Sequence, residues 1–161
     1  MLFERIKKGL KFGKKTQPDK ALAVFVDGPN ILRRDLQINL TDIKTNLSRF
    51  GVLKVGKVFL NQYASNKLIE AVANQGFESV ITVGDVDVSM AVEATEHVFN
   101  QHVDVIVLVT RDSDFLPILM KAKRYGKETV VFLAEEASAA ALKNTADHIV
   151  VLDKVDKSVM K

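Results

Sequence analysis

The chain has 161 residues, 47% apolar and 27% charged, with a net charge of +3; this suits one folded core and excludes a disordered chain, a collagen-like repeat or a polar low-complexity tract. Cysteine is absent, which removes disulfides, thiol nucleophiles and thiolate-bound zinc and fits a reducing, cytoplasmic setting, while no apolar run approaches the roughly 18 residues of a membrane span. The charge is uneven: residues 1–20 hold seven Lys/Arg against two acids, a local +5, and the remaining 141 residues stand at −2.

In chain order, Phe3, Ile6 and Leu10 fall at helical spacing among Arg5, Lys7, Lys8, Lys11, Lys14 and Lys15. Residues 1–20 therefore read as a basic, amphipathic arm and linker, a docking arm for RNA or an anionic membrane surface or simply a solvated tail. From Ala21 onward short apolar runs alternate with amphipathic segments. Ala21 to Val26 is a buried-strand candidate. Thr41 is placed to cap a helix that turns Ile43 and Leu47 inward and ends at Gly51. Val52 to Leu60 is the second strand. Ser65 caps a helix with Leu68, Ile69, Val72 and Ala73 on one side, Gly76 ends it, and Phe77 to Val83 is the third strand. Val88 to Asn100 places Val88, Val92, Thr95 and Phe99 on one stripe. Val105 to Val109 follows as a continuous apolar strand, then a helix with Phe115, Ile118, Leu119, Ala122 and Tyr125 on its apolar face. Thr129 to Leu133, an alanine-rich helix near Ser138 to Lys143, and Ile149 to Leu152 complete the pattern. Such alternation predicts an α/β fold, a mostly parallel central sheet with helices on both faces.

In an open α/β sheet ligands bind outside the C-terminal ends of the strands. Acids gather there: Asp27, followed by Gly28-Pro29-Asn30; Asp85 and Asp87 after the third strand; and Arg111-Asp112-Ser113-Asp114 after the fourth. Like charges brought to one edge repel, and a hard divalent cation relieves that repulsion without histidine or cysteine. His97, His102 and His148 are scattered and lack the spacing of a helical zinc pair. Taken singly, each acid also fits a turn or a helix cap, Asp87 before Val88 and Asp114 before Phe115. Arg33, Arg34 and Arg111 are candidates for holding phosphates, Ser113 and Thr110 for donating to a phosphate or a metal-bound water, and Glu93 is a reserve acid. Walker-type and dinucleotide-binding glycine loops are both missing, as is a nucleophile elbow.

The three motifs Val24-Phe25-Val26-Asp27-Gly28-Pro29-Asn30, Gly84-Asp85-Val86-Asp87 and Thr110-Arg111-Asp112-Ser113-Asp114-Phe115 together resemble the NYN domain, including its LabA-like branch, of the PIN-like nuclease superfamily. The resemblance implies a PIN-like three-layer sandwich over residues 21–153, with residues 154–161 as a C-terminal tail. It implies a ribonuclease dependent on Mg2+ or Mn2+, with Asp27, Asp87, Asp112 and Asp114 as catalytic metal ligands and Asn30 orienting a ligand or water. RNA is the implied partner, and a homo-oligomer is compatible. Arg111 stands where the family commonly has glycine, and Gly84-Asp85-Val86 replaces a common Lys-Gly pair. Both departures bear on activity, so a non-catalytic RNA-binding or regulatory module is the alternative expectation.

Overall fold

In a computed structural model, which describes residues 19–33, 38–135 and 139–152, six strands form one sheet. They are Ala21–Asp27 (β1), Val52–Asn61 (β2), Glu78–Thr82 (β3), Val105–Val109 (β4), Glu128–Leu133 (β5) and His148–Val151 (β6). Their order is β3-β2-β1-β4-β5-β6, and every neighbouring pair is parallel. The helices are Gly28–Ile31 (α1), Leu40–Leu47 (α2), Asn66–Asn74 (α3), Val86–Val98 (α4), Leu116–Arg124 (α5) and Ala140–Thr145 (α6), with a 3-10 turn at Ser113–Phe115 leading into α5. The three-layer α/β sandwich expected from the alternating pattern is the observed architecture.

Strand periodicity divides the core. Leu22, Val24 and Val26 of β1 face α2 and α3, packing with Ile43, Leu47 and Val72. Ala23 and Phe25 face α4 and α5, packing with Met90, Ala94, Ile118 and Leu119. Strand β4 is buried along its whole length, as is all of β1 after Ala21, which is why both read as continuous apolar runs instead of alternating ones. Each fully buried Phe or Leu contributes about 1.5 to 3 kcal/mol by leaving water. The chain runs outward from β1 to β3, then returns to lay β4 on the other side of β1. The strand order therefore reverses between β1 and β4, which opens a crevice at their C-terminal ends.

Several local expectations are corrected. Asn39, not Thr41, caps α2, its side chain accepting from the Asp42 amide at 2.9 Å; Ser65 caps α3 as expected, accepting from Leu68. Ala73 is exposed on α3. The buried face of α4 is Val86, Met90, Ala94 and Val98, so the stripe of Val88, Val92 and Phe99 points outward. Tyr125, expected on the inner face of α5, is exposed as well. The helix expected near Ser138 is observed at Ala140–Thr145. The basic arm up to residue 18, the tail 154–161 and Arg34 lie outside the described residues.

Gly28 fixes the geometry at the exit of β1. A Cβ there would collide with the Phe59 carbonyl oxygen and the Leu60 side chain of β2. Only glycine lets the chain turn directly from Asp27 into α1, where Pro29 suits the first helical turn because its missing N–H would have no partner there.

Candidate active site

The crevice between β1 and β4 holds Asp27, fully buried at the last position of β1. Its Oδ2 accepts from Asn30 Nδ2 at 2.8 Å and from Thr110 Oγ1 at 3.2 Å. Thr110 is also fully buried, and its Oγ1 in turn accepts from the Asp112 amide at 3.0 Å. A relay of donors thus runs from the Asp112 backbone through Thr110 to one oxygen of Asp27. The other oxygen, Oδ1, is buried and has no hydrogen-bond partner among the described residues. Leaving a buried carboxylate oxygen unsatisfied costs several kcal/mol unless a proton or a cation meets it. Burial pushes the Asp27 carboxyl above the usual carboxylate range; the hydrogen bonds from Asn30 and Thr110 oppose that rise, and the charge of Asp112 adds to it.

Asp87 comes to the same crevice from the first turn of α4. Its carboxyl is pushed up to about 6, first by burial, then by the charge of Asp27, by hydrogen bonding with Asp112, and by the charges of Asp112 and Asp85. Three acids from three segments therefore sense one another, although a helix N-terminus by itself favours an anion. Gly84, with φ +102°, turns the chain out of β3 in a left-handed conformation that other residues rarely adopt. Asp85 then accepts from the Asp87 amide at 2.9 Å and caps α4. The segment after β4 repeats the device: Asp112 Oδ1 accepts from the Asp114 amide at 2.8 Å and caps the 3-10 turn. Capping is thus done by Asp85 and Asp112, two residues earlier in each motif than expected, because an Asx turn bonds its own backbone two positions on.

The remaining expected residues divide. Asn30 supports Asp27 directly. Asp114 and Ser113 are exposed in the 3-10 turn, on the same edge but outside the set that perturbs Asp27 and Asp87. Arg111, half-buried beside Thr110, donates from Nη2 to Glu135 Oε1 at 2.6 Å; the acids are not its partner in that ion pair. Arg33 is exposed beyond α1. Glu93, the reserve acid, is tied to Lys57 of β2 at 2.8 Å and lies on the flank of α4 away from the crevice. Thr110 has a larger part than a surface hydroxyl, since it orients Asp27. Glu135, which sequence reasoning missed, stands two residues past the end of β5, on the same edge of the sheet as Asp27.

The test of fit to a divalent cation is chemical. A buried carboxylate oxygen without a donor and two neighbouring carboxyls held above or beside it in charge are what a hard cation satisfies. Among the described residues no three His, Cys, Asp or Glu side chains are grouped so as to hold a metal ion, so the fit lies in donor chemistry and charge. Among those residues, too, no helix is long and apolar enough to cross a membrane.

Residues 21–153 match the NYN domain family. An uncharacterized protein of Methanocaldococcus jannaschii is 53% identical over 137 residues, an alignment that covers 85% of this chain and 57% of the relative. This chain thus spans little more than half of that relative's length. A protein of unknown function from Vibrio parahaemolyticus, known from its crystal structure, is similar with a TM-score of 0.75 at 20% identity, over 87% of this chain and 97% of that one, which shows a shared fold.

Proposed function

The chain belongs to the NYN domain family, which is nuclease-like, and from that premise we propose that it is a divalent-metal-dependent ribonuclease of the LabA-like branch, acting in the cytoplasm. The observation that carries the reading is the buried, unpartnered Oδ1 of Asp27 in a crevice shared with Asp87 and Asp112. Asp27, Asp87 and Asp112 would hold Mg2+ or Mn2+, with Asp114 reaching in from the exposed turn. A bound ion of this kind lowers the pKa of water and stabilises charge on a transferring phosphate.

The chain's own residues set the stage for that chemistry. Asn30 and Thr110 fix Asp27 through one oxygen and leave the other directed to a ligand. Asp112 spends one oxygen on its cap and keeps the second for the crevice. Arg111, steadied by Glu135, stands one residue from Asp112 and would meet a phosphate of the RNA backbone, with Arg33, Ser113 and Arg34, which lies outside the described residues, as further contacts. Contacts of this type recognise charge and strand shape more than sequence.

That no three His, Cys, Asp or Glu side chains among the described residues are grouped so as to hold a metal ion favours a second reading, a non-catalytic RNA-binding or regulatory module on the same fold. One assay separates the two. Labelled single-stranded RNA is incubated with wild type or Asp112→Asn in Mn2+, in Mg2+ or in chelator. Cleavage that requires metal and falls at least about 100-fold in Asp112→Asn, in the range seen when a central electrostatic group is removed, supports the nuclease. RNA binding without cleavage in either metal establishes the second reading.

A further inference from the structure

Five of the large apolar side chains that the fold leaves exposed lie on one face. Val88 is 60% exposed and Val92 65% along α4, with Phe99 at 51% just past its end, and beside them are Met120 at 54% on α5 and Tyr125 at 53% just past that helix. At 100° per residue, Val88, Val92 and Phe99 are centred directly opposite the buried Met90 and Ala94, so this is a second apolar stripe on a helix that already has an inner one. Helix α4 has 13 residues, about 20 Å at 1.5 Å per residue. With α5 packed roughly 8 to 10 Å away and each helix about 10 Å wide, the two-helix face measures about 400 Å² in plan, within the range of the largest patch on a monomer, which is often functional.

We propose that this face pairs two copies of the chain. Charge complementarity argues for a second copy. The α4 flank carries exposed Glu96 and the Lys57-bound Glu93, whereas the α5 flank carries exposed Arg124 beside Lys121. A two-fold axis parallel to α4 lays the acidic flank of one copy on the basic flank of the other while the apolar stripes meet in the middle, the self-complementarity that an isologous interface requires. RNA suits the face less well. The Phe99 ring is met by the Tyr125 edge at 4.7 Å and by the Lys121 ammonium at 5.6 Å, so it is not an open stacking platform, and the acidic flank repels phosphate. Two copies of a face this size bury about 800 Å² in total, below the roughly 1,200 Å² of stable interfaces and in the range of transient pairs, so the dimer dissociates on dilution. Because both copies of α4 point the same way, both acid crevices open on one side of the pair. The inference stands apart from the proposed activity.

Sedimentation velocity of the full chain over a dilution series tests it. Wild type should shift from dimer to monomer on dilution. Val92→Glu, a change at an exposed position, should remain monomeric at every concentration with an unchanged circular-dichroism spectrum. Glu96→Arg and Arg124→Glu should each weaken the dimer about three- to tenfold, and the double variant, in which the two charges are exchanged, should regain wild-type association. A wild type that is monomeric throughout overturns the proposal. So does a dimer that survives Val92→Glu, or a Val92→Glu variant altered in RNA binding alone.

Discussion

Replacing Asp87 by asparagine should stabilise the metal-free protein at neutral pH. The Asp87 carboxyl stands at about 6 against an ordinary 3.8. Between those two values the folded state binds more protons than the unfolded chain, so the slope of unfolding free energy against pH is negative and stability is lost as pH rises through that window. At 1.36 kcal/mol per tenfold change in proton affinity the full effect is ~3 kcal/mol. Asp87 is only partly buried, and solvent screening reduces the figure to about 1 to 1.5 kcal/mol. For a chain of this size that is a rise in Tm of roughly 3 to 5 °C. The assay is thermal unfolding of wild type and Asp87→Asn in chelator from pH 4 to 8. The variant should be the more stable at pH 7.5 and indistinguishable below pH 4. Excess Mn2+ should reverse the order, since ligand binding stabilises the protein that retains the carboxylate. Equal stability of the two proteins at pH 7.5 in chelator would refute the idea that Asp27, Asp87 and Asp112 repel one another in one crevice.

Thr110→Val, which keeps the shape but removes the donor to Asp27 Oδ2 and the acceptor for the Asp112 amide, should cost about 1 to 3 kcal/mol in urea unfolding and lower metal affinity by calorimetry. Gly28→Ala forces a Cβ against the Phe59 carbonyl and should destabilise by about 1 to 3 kcal/mol, read as a fall in the urea midpoint with unchanged m-value. Removal of residues 1–18 takes away six Lys/Arg but leaves the Lys20–Glu128 pair intact. If the arm contacts RNA, the slope of log affinity against log salt should shrink by up to about 4, with cleavage at saturating RNA unchanged; an identical slope removes the arm from RNA binding.

The strand ends were legible because burial leaves its mark in composition: β1 and β4 are apolar until the residue that must carry charge, and the acids that follow them are the acids of the crevice. Caps were harder. Asp85 and Asp87, like Asp112 and Asp114, are chemically identical pairs, and which member turns back on its own backbone depends on where the helix begins. The stripe on α4 could not be turned inward or outward from the sequence, because the helix is apolar on two opposite faces and periodicity alone does not choose between them. Packing does: Phe25 and Phe59 already fill the sheet surface below α4, so slim Ala94 and adaptable Met90 fit inward where Phe99 would not. Glu135 is set back from the end of β5 by Ala134, so the strand-end rule does not single it out.

The order in which the strands pair also dictates when the crevice comes into being. Strand β1 pairs with β2, its nearest successor in the chain, whereas the contact between Thr110 and Asp27 joins positions 83 apart. Closing so long a loop is slow compared with forming local contacts, and β4 must be added to an existing β1–β2–β3 half-sheet. During synthesis, Asp27 leaves the ribosome long before its supporting hydroxyl and its companion at Asp112 exist. A half-made chain therefore carries the motif without the site, and whatever chemistry the acids perform is withheld until the second half of the sheet has closed against the first.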